Sequence, residues 1–435
     1  MRRGGVEWLV PAALAAAMLA FTALYAADVP FSDSWDHTEL IAGIRPLTLE
    51  YLWQQHNEHR LIYEKLLLAA GWCRATHWNE YGAAFGCTIL LVLGGFVFLR
   101  GALRERPQLS ATVRVLLVAS LAGWLFTLRQ WEHMVWSSGF SWGVLYLFIV
   151  LFGEAFRRYV DTGRGGWRVA VLVVATPLGL IHGLALSLFV LVFGALTLAA
   201  RESLPRGYLG LCVVAGLVLA TYFIGYEKPA GHPDMLAALV DPLATLKYVL
   251  IWLGSPFFPR PWGAGVSGIA LVLAVLACLV RTMAMSDPLR ALRDVARRYP
   301  LMIVGAIILA MTMVGRVGYG YTQAITPRYV HLSLLIVASA SLFVFDCARN
   351  WPRRARTALV LVLLLVSARS WVAGSANAAI DAATLRAARL NYRDCVLAHG
   401  DDFSGCDPTA LYPGGHRVHE RTAILREHGL SFFRR

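Results

Sequence analysis

Long apolar runs are the feature of this chain that most restricts its fold. About eleven such runs, each of roughly 15 to 21 residues, are separated by arginine-rich or aromatic connectors. Because about 20 helical residues at ~1.5 Å per residue cross the hydrocarbon core of a bilayer, each run predicts one transmembrane helix. We therefore predict an all-α polytopic membrane protein with about 11 transmembrane helices and outward-facing interfacial helices. The predicted spans are 8–27, 79–99, 112–128, 139–156, 168–181, 184–200, 207–225, 263–281, 301–315, 329–346 and 357–373.

The composition agrees with a bilayer environment. Of the 435 residues, 57% are hydrophobic and 15% are charged, which is more apolar surface than one soluble core of this size needs to bury. The first run ends in ALYAADVPF, which places Leu24 or Tyr25 where a signal peptidase site needs a small residue. We therefore expect this run to be an uncleaved first span.

The basic residues are concentrated in alternate connectors. The formal net charge of +13 would also suit a nucleic-acid partner, so the position of the cations along the chain decides the interpretation. The N-terminus and every second connector hold 21 of the 40 Lys and Arg residues, whereas the other loops between spans hold 10. Because Lys and Arg accumulate in cytoplasmic loops, this pattern predicts topology and no nucleic-acid partner.

The topology predicts a multi-pass protein of a bacterial inner membrane, with a cytoplasmic N-terminus and a periplasmic C-terminus. Residues 1–373 would form the transmembrane domain, with outward loops at 28–78, 226–262 and 315–329. Residues 374–435 would form a small outward-facing tail.

Two of the seven cysteines, Cys395 and Cys406, lie in this tail. In an oxidising compartment they would form a disulfide, and closing so short a loop contributes roughly 3 kcal/mol in the chain-entropy model. Free thiols are the alternative.

The first outward loop opens with a cluster of acidic residues in FSDSWDHTEL, namely Asp33, Asp36 and Glu39, with His37 among them. Carboxylates at a membrane boundary lose hydration unless water, a cation or a substrate satisfies them. A carboxylate in a half-dry cleft can act as a general base, because desolvation raises its proton affinity. Alternatively, Asp33 or Ser32 caps a short helix.

The same loop continues through an amphipathic stretch, 47–72, that predicts one or two helices on the outer surface. Within it, the sequence HNEHR provides five consecutive hydrogen-bonding residues from His56 to Arg60. In a helix, His56 and Arg60 would share one face and form the wall of a site. Contact of an interfacial helix with lipid headgroups is the alternative.

Two further outward connectors carry polar residues. The turn RQWEHMVWSSGFSW contains Glu132 and His133 among tryptophans that are typical of an interfacial anchoring belt. The loop 226–262 is amphipathic and aromatic, and its Lys228 is a candidate contact for an anionic headgroup.

The late loop MVGRVGYGYTQAITPRYVHL places Arg316 and Arg328 at its two ends. Two guanidinium groups that converge could bind a phosphate, for which the arginine fork is geometrically suited. Tyr319 and Tyr321 could stack on a sugar. Arginines that reach out of the bilayer without binding a ligand are the alternative.

Several motifs of other enzyme classes are absent from the sequence. It contains no P-loop, no CxxC and no HExxH, and it has no G-x-G-x-x-G at a strand-to-helix turn. Their absence argues against a nucleotide-driven or redox enzyme.

In order along the chain, the pattern resembles the GT-C superfamily of polytopic glycosyltransferases. The resemblance depends on one span, a long outward loop with FSDSWDH and WQQHNEHRL, the turn QWEHMVWSSGF, and a late loop ending in ITPRYV. It implies that residues 1–373 form a catalytic domain, with Asp33 as first choice for the base and Asp36 as second. Many relatives carry adjacent acidic residues, whereas here Ser34 and Trp35 separate the two aspartates.

The resemblance also implies a polyprenyl-phosphate-linked sugar donor and a lipid or glycan acceptor, with membrane lipids as surroundings. No metal or other cofactor is expected, although the acidic cluster could hold Mg²⁺ or Mn²⁺. The residues expected to bind the donor phosphate are Arg316, Arg328, Arg60 and His56. The residues expected to contact substrate are Glu58, His59, Glu132, His133, Tyr319, Tyr321 and Lys228.

The predicted activity is inverting transfer of a hexosyl or pentosyl group on the periplasmic face of the membrane. Two alternatives remain open at the level of the sequence. One is an O-antigen ligase or polymerase, which needs no carboxylate in the first loop. The other is a non-enzymatic transporter or flippase for lipid-linked sugars, which would carry polar residues through the middle of its spans.

Overall fold

The chain is an all-α polytopic membrane protein. A computed structural model describes residues 5–234, 237–400, 402–412 and 415–434. Within these ranges the regular structure is helical except for one isolated β-bridge. Nine helices of the described chain are long and apolar enough to cross a membrane.

Fourteen longer helices of the described residues give the molecule its frame. They are α1 (Leu9–Tyr25), α2 (Glu80–Arg104), α3 (Ala111–Leu125), α4 (Gly139–Thr162), α5 (Gly166–Ala175), α6 (Leu184–Ala199), α7 (Tyr208–Tyr222), α8 (Pro242–Gly254), α9 (Pro261–Ala284), α10 (Pro288–Arg298), α11 (Pro300–Arg316), α12 (Pro327–Cys347), α13 (Arg353–His399) and α14 (His416–Glu427).

Shorter helical turns lie in the connectors. The α-helical ones are Thr38–Ile41, Leu49–Trp53, Trp131–Met134 and Ala237–Val240, and Glu64–Cys73 is a π-helix. The 3₁₀ turns are Val6–Trp8, Ser32–His37, Leu128–Gln130, Thr176–Leu178, Ile181–Gly183, Val317–Tyr319, Tyr321–Ile325 and Ser431–Phe433.

Every predicted span coincides with a helix, but two of these helices are shorter than a full crossing. The segment 168–181 forms Gly166–Leu178, and 207–225 forms α7. In contrast, α13 is much longer than a single span. It has 47 residues and continues beyond residue 373, where the last span was predicted to end, as far as His399. At 1.5 Å per residue this helix is about 70 Å long, so that its C-terminal part projects beyond the bilayer.

The core lies around α12, which is the most buried of the candidate spans, whereas α9 is the most exposed. The helices α8 and α9 pack so closely that side chains are excluded from the contact. A Cβ on Gly254 would lie 1.7 Å from the Ala264 carbonyl oxygen, and one on Gly268 would lie 1.9 Å from that of Leu250. Small residues are how membrane helices gain close contact without a hydrophobic driving force.

A second, smaller core joins the C-terminal tail to the first outward loop. Side chains of the tail, including Val396, Leu411 and Leu425, pack with Trp35 and Trp78 of the loop. The predicted disulfide is confirmed, since Cys395 and Cys406 are bonded with their Cα atoms 5.8 Å apart. The tail is therefore a cover on the first loop and not a free extension.

Arg389 of α13 is the centre of this junction. Its guanidinium is fully buried and donates to the carbonyl oxygens of Ala27 and Val29, and to that of Val135 at 2.6 Å. It also lies 3.7 Å from the Glu80 carboxylate, which is equally buried. One side chain thus holds together the first loop, the second outward turn and the last long helix.

We expect Arg389→Met to destabilise the protein by about 3–5 kcal/mol, because it leaves the Glu80 carboxylate buried without its cation. Thermal unfolding in detergent would measure the change. Arg393→Gln is the matched control, since this arginine lies on the same helix and pairs with neighbouring Asp394 at the surface. The control should change stability by less than about 0.5 kcal/mol. Equal melting temperatures for the two variants would contradict the central role of Arg389.

Candidate functional site

The sequence HNEHR does not form a helix, contrary to the expectation that His56 and Arg60 share a helical face. It forms a tight turn in which the backbone N–H groups of His56 and His59 donate to each other's carbonyl oxygen at 2.8 Å. Asn57 takes a positive φ of 47°, which breaks the helical repeat. The turn points the two histidines and Glu58 inward.

These residues line a polar cavity of about 300 Å³. The walls come from the first loop, the second outward turn and the late loop, which are far apart in sequence. The lining residues are Asp33, His56, Asn57, Glu58, His59, Leu61, Glu64, Trp136, Ser138, Trp142, Leu180, Arg316, Tyr319, Gln323, Thr326, Arg328 and Tyr329. Asp33, Arg316 and Arg328 therefore share one cavity.

Asp33 is half-buried in the first turn of a short 3₁₀ helix, Ser32–His37. Burial raises the pKa of its carboxyl group, while the charges of His56 and Arg328 act in the opposite direction. Among the described residues no basic nitrogen lies within salt-bridge distance of it, and its one side-chain hydrogen bond is a long one of 3.4 Å from Ser32. This carboxylate is available for a ligand.

Asp36 lies behind Asp33 and is held by the tail. Arg421 of α14 contacts its carboxylate at 2.7 Å, and the Tyr412 hydroxyl donates to it at 3.1 Å. His56 lies 3.7 Å from its other oxygen. The two closest partners of Asp36, Arg421 and Tyr412, therefore do not line the cavity.

One possible cation site lies in this region of the described chain. Asp33, Asp36 and His56 each offer a ligand atom, and these atoms lie within 4.8 Å of one another. The other two residues of the acidic cluster point elsewhere. His37 contacts Glu64 at 2.9 Å, and Glu39 pairs with Arg45 at 2.6 Å near the surface.

Both arginines of the late loop are paired with carboxylates. Arg316 contacts Glu58, and Arg328 contacts Glu132 at 2.7 Å. Burial alone would raise the pKa of Glu58, but the neighbouring charges of His59 and Arg316 lower it to about 2. Burial lowers the pKa of His59 to about 4. Arg316 is therefore held by an ionised carboxylate beside a neutral histidine at neutral pH.

Unpaired polar atoms remain in the cavity. The buried His56 Nε2 and Arg328 Nε have no hydrogen-bond partner among the described residues. Buried polar atoms are nearly always hydrogen-bonded in folded proteins, so these atoms indicate a place for a polar ligand or water.

An apolar cavity of about 580 Å³ adjoins the polar one and shares Glu58 and Arg316 with it. Its walls come from α6, α11 and the connector after α7, and they include Leu188, Phe223 and Met311. Lys228 lines this cavity and not the polar one. A molecule with a charged group and an apolar chain could occupy both cavities at once.

Several candidate residues lie outside the lining of the polar cavity. Arg60 is almost fully buried and donates to the carbonyl oxygens of Trp53, Tyr222 and Ile224 at 2.7–2.9 Å. Both terminal nitrogens of its guanidinium group are therefore bound to the backbone. Three further candidates, Glu132, His133 and Tyr321, make contacts with other residues of the protein. Glu132 pairs with Arg328, His133 Nε2 lies 2.8 Å from the Arg328 carbonyl oxygen, and Lys247 lies 3.6 Å from the ring centroid of Tyr321.

Sequence reasoning missed two groups of residues. Glu64 accepts a hydrogen bond from the Ser141 hydroxyl at 3.0 Å and lines the cavity. Its position in the largely apolar segment LIYEKLLL could have indicated a functional carboxylate. Tyr412 and Arg421 reach Asp36 from the tail, and no local pattern could have indicated this contact.

Comparisons with protein-family models, with curated proteins and with solved structures give no match.

We expect Arg421→Gln to loosen the tail from the first loop, because Asp36 loses the cation that neutralises it. A half-buried ion pair of this kind contributes about 1 kcal/mol, which corresponds to roughly fivefold faster cleavage of α14 in limited proteolysis. Arg417→Gln is the matched control, since Arg417 is exposed on the same helix. Equal cleavage rates in the two variants would show that the contact does not hold the tail.

Proposed function

We propose that this protein is a membrane glycosyltransferase that moves a sugar from a polyprenyl-phosphate carrier to a lipid or glycan acceptor. One observation carries the proposal. Asp33 is a carboxylate without a salt-bridge partner among the described residues, in a cavity that Arg316 and Arg328 also line. A base and a pair of anion-binding groups in one cavity suit the displacement of a phosphate leaving group.

The two adjoining cavities fit the two parts of such a donor. A polyprenyl chain would occupy the apolar cavity, and its phosphate would lie at the junction, where Arg316 borders both. To bind the phosphate, Arg316 would exchange the Glu58 carboxylate for a phosphate oxygen. Glu58 thereby stabilises the buried guanidinium in the absence of substrate.

In the proposed reaction Asp33 takes the proton of the acceptor hydroxyl group. The acceptor oxygen forms a bond to the anomeric carbon while the bond from that carbon to the phosphate oxygen breaks. Polyprenyl phosphate leaves with the electron pair, and Arg316 and Arg328 stabilise its charge. Direct displacement of this kind inverts the anomeric centre. The proposal includes no metal step, because the two guanidinium groups supply the positive charge.

The contacts favour Asp33 over Asp36 as the base. Asp36 is already bound by Arg421 and Tyr412, so its carboxylate is occupied by contacts that an acceptor hydroxyl group would have to replace. Burial raises the proton affinity of Asp33. Asp36 would then orient His56, which lies between it and the cavity.

The proposed location is the inner membrane of a bacterium, with the site on the periplasmic side. The support is the charge pattern, because connectors opposite the site hold most of the arginines of the loops. The disulfide of the tail, on the same side as the first loop, suits an oxidising compartment.

We expect Asp33→Asn to reduce transfer by a factor of at least about 100, which is typical for the loss of a general base. Asp36→Asn should reduce it less, and Glu39→Gln, an exposed acid in the same loop, should leave it unchanged. The measurement is mass spectrometry of envelope glycans and lipids from a deletion strain that expresses each variant. Full activity of both aspartate variants would contradict the proposal and favour an O-antigen ligase or polymerase. Uptake of lipid-linked sugar in proteoliposomes without covalent transfer would favour a flippase.

The pH dependence of transfer gives a second test. A base must be ionised, so activity should fall as the pH drops through the pKa of Asp33, which burial raises above its ordinary value. Because the charge of Arg328 lowers this pKa, Arg328→Gln should move the acid midpoint upward, besides any loss of rate. Transfer rates in membrane fractions at a series of pH values would measure this. An Arg45→Gln control should not move the midpoint, and a downward shift in Arg328→Gln would refute the role of Asp33.

A further inference from the structure

A second amphipathic site lies at the opposite face of the molecule. The helix α4 begins at Gly139, next to Ser138 of the polar cavity, and ends at Thr162. Its 24 residues separate the two ends by about 36 Å. At the far end, α2, α4 and α5 enclose a cleft of about 680 Å³.

The cleft has an excess of positive charge. Its carboxylates are occupied, since Glu105 and Glu154 both contact Arg157, and Asp161 pairs with Arg297 at 2.6 Å. Four arginines line the cleft, and they are Arg104, Arg157, Arg158 and Arg168.

Two of these arginines, Arg158 and Arg168, are exposed and have no carboxylate partner among the described residues, while Arg104 lies a full 4.0 Å from Glu154. Guanidinium groups without a counter-charge favour an anionic ligand.

The remaining wall of the cleft is apolar. Leu151 of α4 and Leu172 and Val171 of α5 line it, together with Trp167, whose side chain is 67% exposed at the start of α5. A tryptophan at this position, beside arginines and above aliphatic side chains, is typical of the boundary between headgroups and acyl chains. A ligand that matches both walls has an anionic head and an apolar tail.

We propose that this cleft binds one anionic phospholipid, with the phosphate between Arg158 and Arg168 and an acyl chain along α5. Basic pockets between transmembrane helices at the cytoplasmic side are suited to such headgroups. The site is separate from the proposed transfer reaction, because the length of α4 divides the two. A lipid held here would contact all three helices, whereas the Arg157 ion pairs join only α4 and the end of α2 at this face.

The test is native mass spectrometry of the full chain in detergent, with phosphatidylglycerol and phosphatidylcholine of identical acyl chains added in equal amounts. We expect one phosphatidylglycerol to be retained in preference to phosphatidylcholine. The double variant Arg158→Gln, Arg168→Gln should reduce this preference about tenfold or more, since each arginine near a lipid phosphate contributes to binding. Both residues are exposed, so the variant should fold, which a retained melting temperature would verify.

The matched control is Arg353→Gln, Arg354→Gln. These two arginines are exposed at the start of α13, do not line the cleft and have no carboxylate partner among the described residues. The control should keep the preference for phosphatidylglycerol. The proposal is overturned if the control loses as much preference as the cleft variant, or if the cleft variant loses none. Displacement of the lipid by an equal concentration of inorganic phosphate would also overturn it, because the acyl chain would then contribute nothing.

Discussion

The buried contact between Arg389 and Glu80 is the constraint on which the site depends. Removing two charges from water is costly, and only close partners repay that cost. Arg389 finds these partners in Ala27, Val29 and Val135 as well as in Glu80. Because those carbonyl groups flank the acidic loop and the second outward turn, the pair fixes two walls of the polar cavity relative to α13. The chemistry at the cavity thus depends on a side chain that never touches it.

The acidic residues in and around the polar cavity differ in the partners that their carboxylates have. Glu58 is bound to Arg316, Glu64 to His37, and Asp36 to Arg421. Each of these carboxylates has a specific partner within salt-bridge distance. Asp33 lies among them with burial as the dominant influence on its pKa. The difference between a structural and a reactive carboxylate is therefore set by the neighbours of each one, not by the residue type.

The sequence predicted the helices well because lipid imposes one strong rule, that a backbone in hydrocarbon must be helical or form a closed barrel. No such rule acts in the first outward loop. There helices do flank HNEHR, at Leu49–Trp53 and Glu64–Cys73, but the expectation that His56 and Arg60 share a helical face was wrong. Asn57 turns the chain between these helices, and the apolar residues Leu68 and Cys73 of the second helix pack against the tail. Asp33 and Arg328 could be singled out from sequence, whereas Arg421 could not, because its contact joins residues 385 positions apart.

The arginines show why charge alone predicts topology better than it predicts a site. Arg60 and Arg389 are committed to backbone carbonyl oxygens, Arg316 and Arg328 to carboxylates that a phosphate could replace, and Arg158 to no described acid. In the sequence these residues are equivalent cations. A guanidinium whose terminal nitrogens donate to backbone carbonyl groups is fixed in place, whereas one held by a single carboxylate can exchange it for a ligand. The partner that each arginine has without substrate therefore determines whether it can bind one.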